Sequence, residues 1–277
     1  MLQCIVPKLL NVSSFTLALN TPPNSVKSLL RDGTPAPETL ASAFESSWMV
    51  MPALRSFSLQ DSCFHVSIIS FLLRHPFLTT LHLHFANFDF FPIPDLVTGG
   101  SLQFLHSFTG SLPNVNIFLE LWQTPVSVIT VIGGRSSEHE FQRFLDILPM
   151  HVLVRTLTLS ENGGYPAADV RRLLNSCCNL TSLTFNFNCS IWAERLDVVL
   201  ADVPLQVQWE DTVLACINLH NLSHLKIQLF ISDAQGARDC CATAMQYLLS
   251  TNDIRTNLQP LTVVFTIPEC DVYSVLL

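Results

Sequence analysis

Charged residues are scarce in this chain, and uninterrupted hydrophobic runs are short. Only 13% of the 277 residues are Asp, Glu, Lys or Arg, whereas 49% are hydrophobic. This balance excludes a disordered, highly solvated protein, which has few apolar side chains and a high net charge. No stretch reaches the roughly 18 consecutive apolar residues of a membrane helix. The first residues, MLQCIVPKLLNVSS, lack the basic start and long apolar core of a secretory signal. We therefore expect no membrane partner and a cytoplasmic or nuclear location.

Clustered positive charge is also missing. The formal net charge is −8, and VRTLTL and DVRRLL supply isolated basic groups rather than a patch. Because nucleic-acid binding depends on clustered Lys and Arg that neutralise phosphates, we expect no nucleic-acid partner.

The motifs of metal sites, disulfide frameworks and active sites are absent. The nine cysteines include the adjacent pairs Cys177-Cys178 and Cys240-Cys241 but form no C-x-x-C, so we expect reduced and mostly buried thiols. The Gly-Gly pairs do not continue into a phosphate-binding loop, and GGRSSEH has no nucleophile elbow around its serines. We therefore expect no catalytic residues, no cofactor and no metal, which means that the protein is not an enzyme.

A hydrophobic rhythm, L-x-x-L-x-L, recurs along the chain. In FLLRHPFLTTLHLHFAN, an apolar helix-like run ends at Pro76, and Leu78, Leu81 and Leu83 follow in this spacing. The same pattern starts near residues 12, 54, 105, 126, 154, 180, 222 and 258. Between 54 and 180 the starts lie 21 to 28 residues apart, which is the range of leucine-rich repeats. We predict strands near 15–18, 57–60, 81–84, 129–132, 157–160, 183–186, 225–228 and 261–264.

The segments between the strands are predicted to be helices. In SEHEFQRFLDILP the apolar residues recur at i, i+3, i+4 and i+7, with a capping-box spacing from Ser137 to Glu140 and an end at Pro149. YPAADVRRLLNSCCN and DAQGARDCCATAMQYLLS carry similar stripes, which would place Cys177, Cys240 and Cys241 in a core.

An alternation of strands and helices also fits a doubly wound fold, whose strands are covered on both faces and are continuously apolar. Here RTLTLS, TSLTFNF and TTLHLH alternate polar and apolar residues, so one face of the sheet is wet. Asn20, Asn162 and Asn188 follow their strands where a leucine-rich repeat places a turn asparagine. We therefore predict an α/β leucine-rich-repeat solenoid with a curved parallel sheet on the concave side and helices on the convex side.

The position between the last two apolar residues of each strand defines the predicted binding face. These residues are Thr16, Ser58, His82, Thr109, Thr130, Thr158, Thr184, Lys226 and Thr262. Concave faces are what solenoids use for binding, so we predict that a protein partner contacts His82, His84, Thr130, Thr158, Thr184 and Lys226. The alternative for the threonines is that a β-branched polar residue simply suits an exposed strand. His82 and His84 could begin a metal site, but a site needs three or four ligands, and none follows at matching spacing.

The segments MPALRSFSL, FLLRHPFLTTLHLH and LLNSCCNLTSLTFNF resemble the degenerate leucine-rich repeats of fungal, mushroom-type F-box proteins. The resemblance covers residues 51–277 and, more loosely, the first 50. It implies an intracellular substrate-receptor module of a cullin-RING ubiquitin ligase. In that family an amino-terminal F-box docks on the ligase adaptor, and the repeats receive the substrate.

The amino-terminal region departs from the family pattern. VSSFTLAL is predicted to be a repeat strand and NTPPNSVKSLLRDGTPAPETL a proline-rich loop, so the chain has no recognisable F-box. A ligase adaptor would bind only through an F-box encoded upstream. We expect one irregular leucine-rich-repeat domain over 1–277 with a proline-rich insertion near 20–40. The alternative function is a free-standing repeat scaffold with no link to a ligase.

Overall fold

A computed structural model describes most of the repetitive part of the chain. The described residues are 11–18, 50–63, 67–87, 102–121, 125–132, 138–161, 167–177, 179–188, 221–230, 262–266 and 272–276, with the single residues 242 and 246. The chain divides into two compact units, Met1–Val126 and Ser127–Leu277. The proline-rich insertion predicted near 20–40, and the cysteines of the third predicted helix, lie outside the described residues.

The first unit is a parallel sheet whose strands follow one another in chain order. Its elements are β1 (Ser14–Ala18), β2 (Ser56–Cys63), α1 (Ser67–Leu73), β3 (Thr80–Asn87), β4 (Ser107–Gly110) and α2 (Leu112–Leu121). Each strand pairs in parallel with the next, so that Thr16 lies beside Ser58, Ser58 beside His82 and His82 beside Thr109. The polar positions predicted to share one face are therefore in register in this unit.

The second unit repeats the arrangement and ends differently. Its elements are β5 (Val128–Val131), α3 (Glu138–Ile147) with a 3-10 turn (Leu148–Met150), β6 (Thr156–Glu161), α4 (Ala167–Ser176), β7 (Ser182–Asn188), β8 (His224–Phe230), β9 (Thr262–Thr266) and β10 (Val272–Leu276). Strands β5 to β9 are parallel neighbours in chain order, whereas β10 pairs antiparallel with β9. Every strand predicted from the L-x-x-L-x-L pattern is present, and the fold class is α/β with parallel strands, compatible with a solenoid-like fold.

The first apolar residue of the pattern marks a turn that recurs before the strands. The amide of Leu54 donates to the carbonyl of Met51 at 3.0 Å, and the same three-residue step joins Leu78 to His75 at 3.2 Å and Leu180 to Cys177 at 3.1 Å. One residue later, two successive amides donate to one carbonyl of the preceding repeat, as Thr79 and Thr80 do to Arg55. At Leu78 and Leu180 the chain changes period because it leaves α1 or α4, makes the turn and joins the next strand.

The apolar residues of each strand point to the buried side of the sheet. Phe57, Leu81, Leu157 and Leu183 are completely buried, whereas the alternating polar positions are half-buried or exposed. In the first unit α1 and α2 pack on that buried side. The ring centroid of Phe57 lies 4.8 Å from that of Phe71 in α1. The rings of Phe108 and Phe118, which belong to β4 and α2, are stacked at 4.0 Å.

The helix stripes predicted in the second unit are also buried. In α3 and the turn after it, Phe141, Phe144, Leu145 and Leu148 are at most 5% exposed. In α4, Leu173 and Leu174 are buried. Cys177 corrects the prediction of a buried thiol, since it is half-buried. It lies after the last helical residue, where the chain turns towards β7 and no longer faces the core.

Two further features differ from the sequence-based prediction. The sheet is not wholly parallel, because β10 follows β9 closely enough to fold back antiparallel. Thr262 pairs with His224, so the residue beside Lys226 is Val264 and not Thr262. Leu261, Val263 and Phe265 alternate along LTVVF and are all apolar, so the hydrophobic pattern allowed registers two residues apart, and the structure has Val263 buried beside Leu225.

Strand β4 ends after four residues because the chain turns directly into α2 beside β3. An added Cβ on Gly110 would lie 2.9 Å from the carbonyl oxygen of Leu83 and 3.1 Å from Cβ of Asn114. The Nδ2 of Asn114 donates to the same Leu83 carbonyl at 3.1 Å, and this side chain is 3% exposed. An asparagine does satisfy a strand backbone group here, although it is Asn114 and not one of the three predicted residues. The side chains of the three predicted residues, Asn20, Asn162 and Asn188, lie outside the part of the protein that the structure describes.

We expect Gly110→Ala to destabilise the first unit by about 1–3 kcal/mol, because the methyl group meets backbone oxygen that cannot move without breaking the β3–β4 pairing. Denaturant unfolding followed by circular dichroism measures this change. Thr109→Val is the matched control, since it keeps a β-branched side chain on the polar face and should change the free energy of unfolding by less than about 0.5 kcal/mol. Equal stability of Gly110→Ala and the natural protein would show that the close approach is not rigid.

Candidate functional site

The predicted binding residues lie on the polar face of the strands in each unit, which we call the outer face. In the second unit it is formed by Thr130, Thr158, Thr184 and Lys226, which are paired in register on β5 to β8. All four are half-buried, as expected for side chains that stand on a sheet beside similar neighbours. Parallel strands are about 4.8 Å apart, so these side chains form a continuous row.

Two further rows flank this one on the outer face of the second unit. Two residues earlier on each strand lie Val128, Thr156, Ser182 and His224, and two residues later on β6 to β8 lie Ser160, Asn186 and Gln228. The side chains of Asn186 and Ser160 are hydrogen-bonded at 2.5 Å. The Oδ1 atom of Asn186 is buried without a hydrogen-bond partner in the described structure. The surface therefore offers hydroxyl and amide groups to a ligand, and few charges.

In the first unit the outer face carries His82 and His84, which lie two residues apart on β3 beside Ser58 and Gln60 of β2. Burial lowers the pKa of His82 from its ordinary value, and the neighbouring His84 lowers it further. The Nδ1 atom of His84 is buried without a hydrogen-bond partner among the described residues. These imidazoles add hydrogen-bonding groups to a face that is otherwise made of hydroxyls and an amide.

The structure brings the six predicted residues together as two sets. His82 and His84 belong to the first unit, and the other four residues belong to the second. Thr130, Thr158, Thr184 and Lys226 form one row within the second unit. His82 is in the corresponding row of the first unit, and His84 is in the next row. In the described ranges no group of three or more His, Cys, Asp and Glu side chains could hold a metal ion.

His75, which the sequence did not single out, is one of three buried polar side chains described in the first unit, together with Asn114 and Asn116. Its side chain is 3% exposed, its Nε2 accepts a hydrogen bond from the Met51 amide at 2.9 Å, and its Nδ1 lies 2.7 Å from the Phe71 carbonyl. A carbonyl only accepts, so Nδ1 carries the proton and the ring is the neutral tautomer. His75 thereby ties the end of α1 to the turn before β2. The signal in the sequence was a lone histidine between an apolar helix and Pro76.

Arg172 is exposed, yet its side chain connects two helices. It lies on α4, and its guanidinium donates to Oε1 of Gln142 at 2.5 Å and pairs with the Asp146 carboxylate, both on α3. In the sequence, DVRRLL was interpreted as supplying isolated basic groups. Arg172 instead bridges two helices, so its removal would disturb their packing.

No protein-family model matches the chain, and no curated protein shows significant similarity to it. No helix within the described ranges has the length and apolar character needed to cross a membrane. The outer faces therefore provide the basis for inferring a function.

Proposed function

We propose that the protein is a non-catalytic protein-interaction module, built as a leucine-rich-repeat solenoid, whose partner binds on the outer face. The observation that supports this most directly is the register of Thr130, Thr158, Thr184 and Lys226. Groups that lie far apart in the sequence become one polar row, and a protein partner needs such an extended surface with spaced hydrogen-bonding groups.

The ligase link is part of the proposal and depends on the resemblance to mushroom-type F-box proteins. In this role the repeats would hold a substrate, and an F-box would recruit the adaptor. A partner that binds the outer face without any adaptor fits the alternative, a free-standing scaffold.

The test is affinity capture from the native cell extract with the full chain and two triple variants of equal charge. One variant is Thr130→Glu, Thr158→Glu and Thr184→Glu, which places three carboxylates on the outer face. The other is Met150→Glu, Val152→Glu and Leu153→Glu, at apolar side chains that are 71%, 61% and 49% exposed in the turn before β6. We expect the first variant to lose its partners and the second to retain them.

The control removes the effect of charge, because both variants add three carboxylates, and circular dichroism shows whether both are folded. Partners that disappear only with the Met150, Val152 and Leu153 variant would place the binding surface at the apolar turn and contradict the proposal. Recovery of a ubiquitin-ligase adaptor by a chain carrying the upstream coding region separates the receptor from the scaffold.

A further inference from the structure

Strand β8 places an imidazole and an ammonium group, those of His224 and Lys226, on the outer face of the second unit. His224 is exposed and Lys226 is half-buried, and they lie two residues apart on the same side of the strand. The two residues are separated by about 7 Å along a strand. They differ from the rest of the face, where the described residues supply hydroxyls, amides and a few apolar groups.

The orientation of the His224 ring is fixed by its neighbour. The Ser223 hydroxyl donates to the Thr181 carbonyl at 3.1 Å and lies 2.8 Å from Nδ1 of His224. A serine hydroxyl has a single proton, and here it is given to Thr181, so the serine oxygen accepts a hydrogen bond from Nδ1–H of the ring. Nε2 of His224, at the far side of the ring, is therefore left for a ligand.

Hydroxyl groups surround these two residues on the adjoining strands. Ser182 and Thr184 of β7 lie beside His224 and Lys226, and Thr262 of β9 lies beside His224. Lys226 forms no ion pair within the described ranges, and no Asp or Glu occupies an outer-face position whose burial is described in this unit. A lysine held among hydroxyls and away from carboxylates binds an anionic group without first breaking an internal pair.

The sign of the charge on this patch is opposite to that of the whole chain, whose formal net charge is −8. We infer that the outer face around β8 docks an acidic, extended peptide segment of the protein partner. In an extended segment alternate side chains lie about 7 Å apart on one side, which is the separation of His224 and Lys226. A carboxylate would pair with Lys226, and a hydroxyl side chain at the next position on that side would donate to Nε2 of His224. The hydroxyls of β7 would bond the backbone between them. This inference depends on the outer face being the binding surface.

The experiment measures fluorescence anisotropy of labelled peptides with the full chain. The probes are three peptides of the same length and a single-stranded DNA of equal charge to the acidic one. The acidic probe repeats Glu-Gly-Ser-Gly, so that Glu and Ser alternate along one side of the extended chain, and we call it the Glu-Ser peptide. The Gln-Ser and Lys-Ser peptides have Gln or Lys in place of Glu. We expect the Glu-Ser peptide to bind most tightly. We also expect its affinity to fall as the salt concentration rises from about 0.01 M to about 1 M, because the Debye length shortens from about 30 Å to about 3 Å.

Two variants of equal charge test the residue assignment. Lys226→Gln lowers the net charge by one on the outer face, and we expect about five-fold weaker binding of the Glu-Ser peptide, as for one partly exposed ion pair. Gln142→Glu lowers the net charge by one on α3 and keeps an acceptor for Arg172, so binding should be unchanged.

Several results would overturn the inference: equal binding of the Gln-Ser peptide, an unchanged affinity of Lys226→Gln, or no Glu-Ser binding up to about 1 mM. DNA that binds as tightly as the Glu-Ser peptide, with the same dependence on Lys226, would assign the patch to nucleic acid instead. If the peptide fails while the Thr130, Thr158 and Thr184 variant still loses its cellular partners, this inference is wrong and the proposed function stands. If only the apolar-turn variant loses partners, the proposed function itself fails.

Discussion

Leu157→Ala should destabilise the protein by about 2–5 kcal/mol, because the truncation leaves a cavity in the second unit. Leu157 is completely buried, and its strand neighbours in register are Ile129 on β5 and Leu183 on β7. Because fixed strands flank Leu157 on both sides, its surroundings cannot collapse into the space that the truncation leaves. Most of the packing energy of the side chain is therefore lost. The change is measured by denaturant unfolding followed by circular dichroism, and Leu183→Ala should behave in the same way.

The matched control for Leu157 is its neighbour in the sequence. Thr158 points to the outer face and is half-buried, so Thr158→Ala should change the free energy of unfolding by no more than about 0.5 kcal/mol. Equal losses for Leu157→Ala and Thr158→Ala would mean that the two faces of β6 have been interchanged.

His75→Leu should destabilise the first unit by about 3 kcal/mol, because it leaves the buried Met51 amide without its acceptor. The Phe71 carbonyl is affected less, since the amide of Arg74 also donates to it at 3.1 Å. A leucine fills similar space, so the loss reports the hydrogen bond more than the packing. Hydrogen exchange of the strand β2 amides and denaturant unfolding both measure it.

His75 also makes the stability of the first unit depend on pH, and the direction of its pKa shift gives the sign of this dependence. Burial is the main cause that lowers the pKa of His75 below 6.5, the neighbouring Arg74 lowers it further, and the bond to Phe71 opposes both. Since the folded state disfavours the charged ring, this stability is fully present above the unfolded-state pKa. It is lost as the pH falls from 6.5 through the lower folded-state pKa.

His82→Gln is the control for this pH effect, because burial lowers the pKa of His82 as well. The natural protein and His82→Gln should both lose stability on acidification, whereas His75→Leu, which starts lower, should lose less. A pH profile of His75→Leu parallel to that of the natural protein would show that His75 is not the group that titrates.

The outer face could be predicted from the sequence, and its composition explains why. Alternation of apolar and polar residues in RTLTLS and TSLTFNF assigns each residue to one side of a strand, since successive side chains point to opposite faces. The repeated L-x-x-L-x-L spacing then predicts which residues are equivalent in neighbouring strands, and the pairing of Thr158 with Thr184 follows it. The rule failed at Thr262, because the alternating residues Leu261, Val263 and Phe265 are all apolar and a shift by two residues keeps the same face apolar.

The sequence alone determined the positions of the eight predicted strands, the α/β class and the polarity of each face, because these depend on local periodicity and on the burial of apolar side chains. The tertiary structure decided the partners of His75, Asn114, Arg172 and His224. Each of these side chains bonds a group whose position depends on how the chain folds back: the Met51 amide, the Leu83 carbonyl, the α3 helix and the Ser223 hydroxyl that is itself held by Thr181. Hydrogen bonds are directional over about 3 Å. A spacing in the sequence cannot specify them until the repeats are stacked.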